Sequence, residues 1–106
     1  MFAVIYRSYI KPELEEKYQK LWNQVASFFI QHRGAIGSCL HKAEDGIWLA
    51  YSRWPDRATR DASWSSDNTV EDLPRAIKEA ITQMKNCGDQ DRILPEICME
   101  VVDDLL

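Results

Sequence analysis

The chain has few of the features that mark several functional classes. Among its 106 residues there are three cysteines, Cys39, Cys87 and Cys98, an odd number with no C-x-x-C spacing. That argues against a disulfide framework and against a zinc site, and it points to reduced thiols in a cytoplasmic protein. No apolar run approaches the roughly 18 residues of a membrane span. Arg7 interrupts the apolar start MFAVIYRSYI, and no basic flank precedes it, so the order of regions in a secretory signal is missing. Lys and Arg together number 13 against 17 Asp and Glu, for a net charge of −4. Without a basic patch, a nucleic-acid surface is not expected. Phosphate-binding glycine loops, dinucleotide fingerprints, nucleophile constellations and metal-ligand spacings are also missing, so no metal and no cofactor is predicted. A chain this short can bury one core and not two, which predicts a single domain over 1–106.

What is present is periodicity. Met1 to Ile10 mixes β-branched and aromatic residues on both parities, as a strand covered on both faces would. Pro12 suits the first turn of a following helix, where its missing N–H costs nothing. From Glu13 to Arg33, the residues Leu14, Tyr18, Leu21, Trp22, Val25, Phe28 and Phe29 fall on one stripe of a 3.6-residue period. Acidic residues open that helix, His32 and Arg33 close it, and Gly34 stands where a left-handed cap is usual.

Two strand-like runs follow, Gly34 to Ala43 and Ile47 to Trp54, joined through Glu44-Asp45-Gly46. A two-residue turn on Asp45-Gly46 pairs Glu44 with Ile47 and sets His41 opposite Ala50. One face then gathers Gly37, Cys39, His41, Ala43, Trp48, Ala50, Ser52 and Trp54, a surface of mostly small residues with room for a helix or a ligand. A G1 bulge at the turn would shift one strand and exchange its faces. The two-residue register is the expectation.

Asp56 is the expected N-cap of a short helix from Arg57 to about Ser65. A further helix is predicted from about Val70 to Asn86, with Pro74 in its first turn, Asp72 as a possible cap and Gly88 as its stop. A last strand is predicted from Arg92 to about Val102, where Pro95 indicates an edge, a bulge or an exchange.

The order strand, helix, hairpin, helical segment, strand predicts an α+β ferredoxin-like βαββαβ fold, an antiparallel sheet with helices on one face. Apolar residues on both parities then require cover for the second face. A homodimer through that open sheet face is the simplest solution.

The opening MFAVIYRSYIKP, the long helix with its central tryptophan, the hairpin GxxGSxLHKAEDGxWLAYSRWP and the aromatic-containing helix after it resemble the antibiotic biosynthesis monooxygenase-like family of dimeric α/β-barrel proteins. The resemblance is strongest from Gly34 to Trp64. It implies a dimeric barrel whose ligand cavity lies between sheet and helices, and a cofactor-independent monooxygenase oxidising a small aromatic or quinol-like metabolite. The alternative is a non-catalytic, small-molecule-binding or stress-associated dimer using the same cavity. On that template Trp64 is the first catalytic candidate, with His41 as a general base and Tyr6, Trp48 and Asn68 as substrate-binding residues. The haem-degrading branch is less similar, since no histidine follows His41 and the first strand offers Tyr6 and Ser8 where that branch has asparagine.

Overall fold

The fold is seen in a computed structural model that describes residues 1–64 and 73–106, with Trp64 described by its backbone. In chain order the elements are β1 (Phe2–Tyr9), a 3-10 turn (Pro12–Leu14), α1 (Glu15–His32), β2 (Gly37–Lys42), β3 (Ile47–Trp54), α2 (Arg57–Trp64), α3 (Arg75–Cys87) and β4 (Ile97–Glu100). The four strands form one sheet in the order β2-β3-β1-β4, every neighbouring pair antiparallel. This is the expected ferredoxin-like α+β arrangement.

Side chains of β1 and β3 alternate between two unlike surroundings. Phe2, Val4 and Tyr6 share the helix side with Ala50, Ser52 and Trp54, their antiparallel partners. There Phe2, Val4 and Trp54 are buried against Val25 and Phe29 of α1 and Ile77 and Ala80 of α3. Phe29 meets Trp54 edge-on at 6.4 Å, a geometry that adds about 0.5–1.5 kcal/mol to the burial of either ring. At the other end of the sheet Ile10, Tyr18, Trp48 and Cys87 form a second buried cluster. On the opposite face Ile47, Leu49, Tyr51 and Arg53 are only half-buried, and none of the described helices covers them.

Two glycines set the chain reversals that matter for the site. Gly34 takes φ +87° after α1, and the Ala35 N–H donates back to the Phe29 carbonyl at 3.3 Å. A Cβ at Gly34 would come within 2.9 Å of Thr59 Cγ2, so its missing side chain also lets α2 approach. Asp56 caps α2 as expected, its Oδ1 accepting the Thr59 N–H at 2.7 Å.

Gly46, with φ +89°, corrects the expected hairpin register. The loop holds three residues, closed by Ala43 N–H to the Ile47 carbonyl and Gly46 N–H to the Ala43 carbonyl. Strand pairing therefore sets Leu40 opposite Ala50 and His41 opposite Leu49. A two-residue type I′ turn needs positive φ at both central positions, including Asp45. The three-residue loop asks it of Gly46 alone and avoids a cost of about 1–2 kcal/mol for a non-glycine residue. The Asp45 carboxylate also accepts the Ile47 N–H at 3.2 Å. As a result β2 is turned over: Ser38, Leu40 and Lys42 join Trp48, Ala50 and Ser52, while Gly37, Cys39 and His41 go to the opposite face.

The last elements are shorter than predicted. Pro74 stands just before α3 in an extended conformation (ψ 145°), its carbonyl accepting from Ile77 and Lys78. Val70 and Asp72 lie outside the described residues. β4 spans four residues instead of about eleven and pairs only with Phe2 to Ile5 of β1. Pro95, which has no N–H to give a ladder, stays outside the strand, and its carbonyl accepts from Arg7.

Candidate functional site

A cavity of about 470 Å³ lies between the helix side of the sheet and the helices. Its room comes from the alternation on β3: Ala50 and Ser52 are small, and they sit between the larger Trp48 and Trp54. Tyr18, Trp22 and Phe29 of α1 and Met84 of α3 supply aromatic and apolar walls, and Tyr6 and Ser8 come from β1. Ser52 is polar and buried, but its hydroxyl accepts the Trp54 indole N–H at 3.2 Å. Burial raises the Tyr18 hydroxyl above its ordinary pKa, so this wall presents neutral groups.

One end of the cavity is charged. Arg60 reaches in from α2, and its Nη2 donates to the Tyr6 hydroxyl at 3.1 Å and to Glu96 Oε2. Its Nη1 donates to Asp61 Oδ1 at 3.2 Å. The Arg60 side chain is 12% exposed and that of Glu96 36%. Burial works against the Arg60 charge, but the bonds to Tyr6 and Glu96 outweigh it and hold the guanidinium protonated above its ordinary range. Burial also raises Tyr6, and the nearby Arg60 offsets this only in part. Tyr6 is thus a neutral phenol whose oxygen already accepts a bond, leaving its own O–H free to donate.

No protein-family model and no curated protein matches the chain. Solved structures do. A structure described as an antibiotic biosynthesis monooxygenase is 20% identical, with 97% of this chain and 100% of that chain covered at a TM-score of 0.71. Rv0793 from Mycobacterium tuberculosis is 16% identical, covering 99% and 98% at a TM-score of 0.72. A mutant of SnoaB, described as a cofactor-independent oxygenase from Streptomyces nogalater, is 11% identical, covering 98% and 95% at a TM-score of 0.72.

The chain has the fold of the antibiotic biosynthesis monooxygenases.

At these identities the likeness speaks to the fold, and the site must be judged by its own residues. Of the residues expected on the monooxygenase template, the structure places Tyr6 at the charged end of the cavity. Trp48 lies outside the cavity wall, in the second core cluster, where its Nε1 donates to Glu15 Oε2 at 3.0 Å. It borders an outer groove between α1 and β2, which Trp22 and Ser38 separate from the cavity. His41 is on the opposite face of the sheet, with Nδ1 3.3 Å from the Leu49 carbonyl oxygen. The expectation that it faces the cavity is corrected by the hairpin register. The Trp64 side chain and Asn68 lie outside the described residues.

Arg60 and Glu96 escaped sequence reasoning as a site pair. Arg60 stands four residues before Trp64 in the sequence, a helical i, i+4 spacing that could have drawn attention to it. The strand arginines have other partners: Arg53 pairs with Asp104, and Arg7 bonds the Pro95 carbonyl. Among the described residues no cluster of His, Cys, Asp and Glu could hold a metal, and no helix is long and apolar enough to cross a membrane.

Proposed function

We propose that this chain is a cofactor-independent monooxygenase that oxidises a small aromatic or quinol-like metabolite inside this cavity. The observation that carries the reading is an aromatic-walled cavity of about 470 Å³ ending on the Tyr6–Arg60–Glu96 group. A ring substrate needs flat apolar walls to hold it, and Trp54, Phe29 and Trp22 supply them. Its hydroxyl must lose a proton before the ring can give an electron to dioxygen, and the anion must be held where water is scarce. Arg60 supplies a fixed positive charge for that oxygen, and the Tyr6 O–H a second donor. With the substrate as reductant, one oxygen atom enters the ring as a carbonyl while the other leaves as water with the two hydrogens removed.

The test is oxygen consumption across a panel of hydroquinones and phenols, followed by mass analysis of products formed under heavy-isotope dioxygen. One labelled oxygen atom per product is expected. Tight binding of the same compounds with no oxygen uptake would instead identify a binding protein.

The reading includes a second copy of the chain against the open sheet face, where Ile5, Leu49, Tyr51, Ile97 and Met99 are adjacent by strand pairing. It also includes residence in a reducing compartment, supported by free thiols at Cys39, Cys87 and Cys98.

A further inference from the structure

Arg60 has two anionic partners of different standing. Asp61 is its neighbour on α2, while Glu96 comes from the irregular backbone just before the short edge strand β4. Of the Arg60–Glu96 pair, the arginine is the more enclosed, at 12% against 36% exposure, and it is held further by Tyr6. The carboxylate is the partner that can leave. Arg60 Nε, also buried, has no hydrogen-bond partner among the described residues, so the guanidinium is not saturated.

Placing a phenolate beside this group while Glu96 stayed ionised would put a third oxyanion on a guanidinium that already holds Asp61 and Glu96. Removing Glu96 without replacement would leave Nη2, on the cavity side of the enclosed guanidinium, with no anionic partner, since Asp61 is held by Nη1. Exchanging one oxyanion for the other avoids both. The geometry points to Glu96 as an exchangeable counter-ion and general base: it takes the proton of an acidic ring hydroxyl and yields its place on Arg60 to the resulting phenolate. In that step the substrate O–H bond breaks, an O–H bond forms on the Glu96 carboxylate, and the Arg60 N–H passes from one oxygen to the other. The charge in the cavity is unchanged and no electron moves. The substrate class is therefore a ring bearing a hydroxyl acidic enough to ionise against Arg60. This inference rests on the reading of the cavity as a ring-binding site.

The ionisable groups around Glu96 are Tyr6 on β1, Arg60 and Asp61 on α2, Lys85 on α3 at the cavity wall, and Cys98 on β4, whose Sγ is 3.5 Å from Glu96 Oε1. Arg7 lies on the other face of the sheet. The charges of Arg60, Lys85, Asp61 and Glu96 cancel, and once Glu96 is protonated the two cations exceed Asp61 by one, the charge that a phenolate supplies.

The experiment uses para-nitrophenol, whose phenolate absorbs in the visible and whose neutral form does not, with naphthalene as a ring probe lacking any acidic oxygen. The full chain is titrated at a pH about one unit below the pKa of the free phenol, so that ionisation on binding is visible. The wild type is expected to bind the probe as phenolate with no net release of protons to the buffer. Glu96→Gln is expected to bind the phenolate about tenfold more tightly, having no competing carboxylate, and to release one proton per probe bound. Arg60→Gln should bind it only as the neutral phenol. A neutral phenol in the wild type, or unchanged affinity and proton balance in Glu96→Gln, overturns the exchange. If naphthalene binds and the phenol does not ionise, the cavity reading stands and the exchange falls; if neither binds, both fall.

Discussion

Trp48 donates its indole N–H to Glu15 at 3.0 Å, linking the second hairpin strand to the first turn of α1 across 33 residues. Lys42 completes the contact, 2.9 Å from the same carboxylate oxygen and stacked over the indole ring. Lys42 first and Trp48 second hold the Glu15 carboxyl below its ordinary value of 4.5. A carboxylate whose pKa is depressed by folding contributes stability above its unfolded value and loses it as the pH falls through the folded one. Glu15→Gln should therefore melt below the wild type at neutral pH, and the two should converge as the pH falls below 4.5 and through the lowered Glu15 value. Thermal melts across that range check it; a constant difference would assign the effect to packing.

Gly46 decides which side of β2 faces the cavity, and its replacement should be costly. Gly46→Ala places a side chain at φ +89°, where open space removes any steric clash but leaves the backbone penalty. A loss of about 1–2 kcal/mol in denaturant unfolding is expected. His41→Ala, on the far face, should leave oxygen uptake unchanged, whereas a large loss would mean that the open face takes part in chemistry.

How much of this was legible in the sequence follows from the range of each signal. The α1 stripe through Tyr18, Val25 and Phe29, the reversal at Gly34 and the cap at Asp56 are decided within one or two helical turns, and each was readable. The side of the sheet taken by His41 depends on a single residue in the loop, and Glu44-Asp45-Gly46 satisfies either count by composition. Only the cost of a left-handed Asp45 separates the two. The Tyr6–Arg60–Glu96 group joins residues 54 and 36 positions apart. No local pattern announces such a contact, because it brings together β1, α2 and the segment before β4.

Tyr6→Phe separates stability from chemistry at the charged end. The ring, its burial and the Arg60–Glu96 pair remain, so unfolding should cost about 0.5–1.5 kcal/mol for the lost hydrogen bond. Turnover of a hydroquinone should fall roughly a hundredfold, as for the loss of one donor to a developing oxyanion. Equal kcat in the two proteins would show that the Tyr6 hydroxyl does not touch the reacting oxygen.

The open sheet face gives the last prediction. Leu49 stands at its centre, opposite His41 on one side and Arg7 on the other, with Ile5 and Tyr51 nearby on β1 and β3. Ile5, Leu49, Tyr51, Ile97 and Met99 give this face apolar side chains from three strands, the kind of surface that partners cover. Closure by a two-fold axis would bury it against itself, since the same patch serves both partners. Sedimentation of the wild type should then give about twice the 12.3 kDa chain mass. Leu49→Glu places a charge at the centre of that patch without entering the helix-side core. It should sediment as a monomer with unchanged far-ultraviolet circular dichroism. A wild-type monomer at micromolar concentration would overturn the assembly, and an unfolded Leu49→Glu would show that this face is needed for the subunit itself.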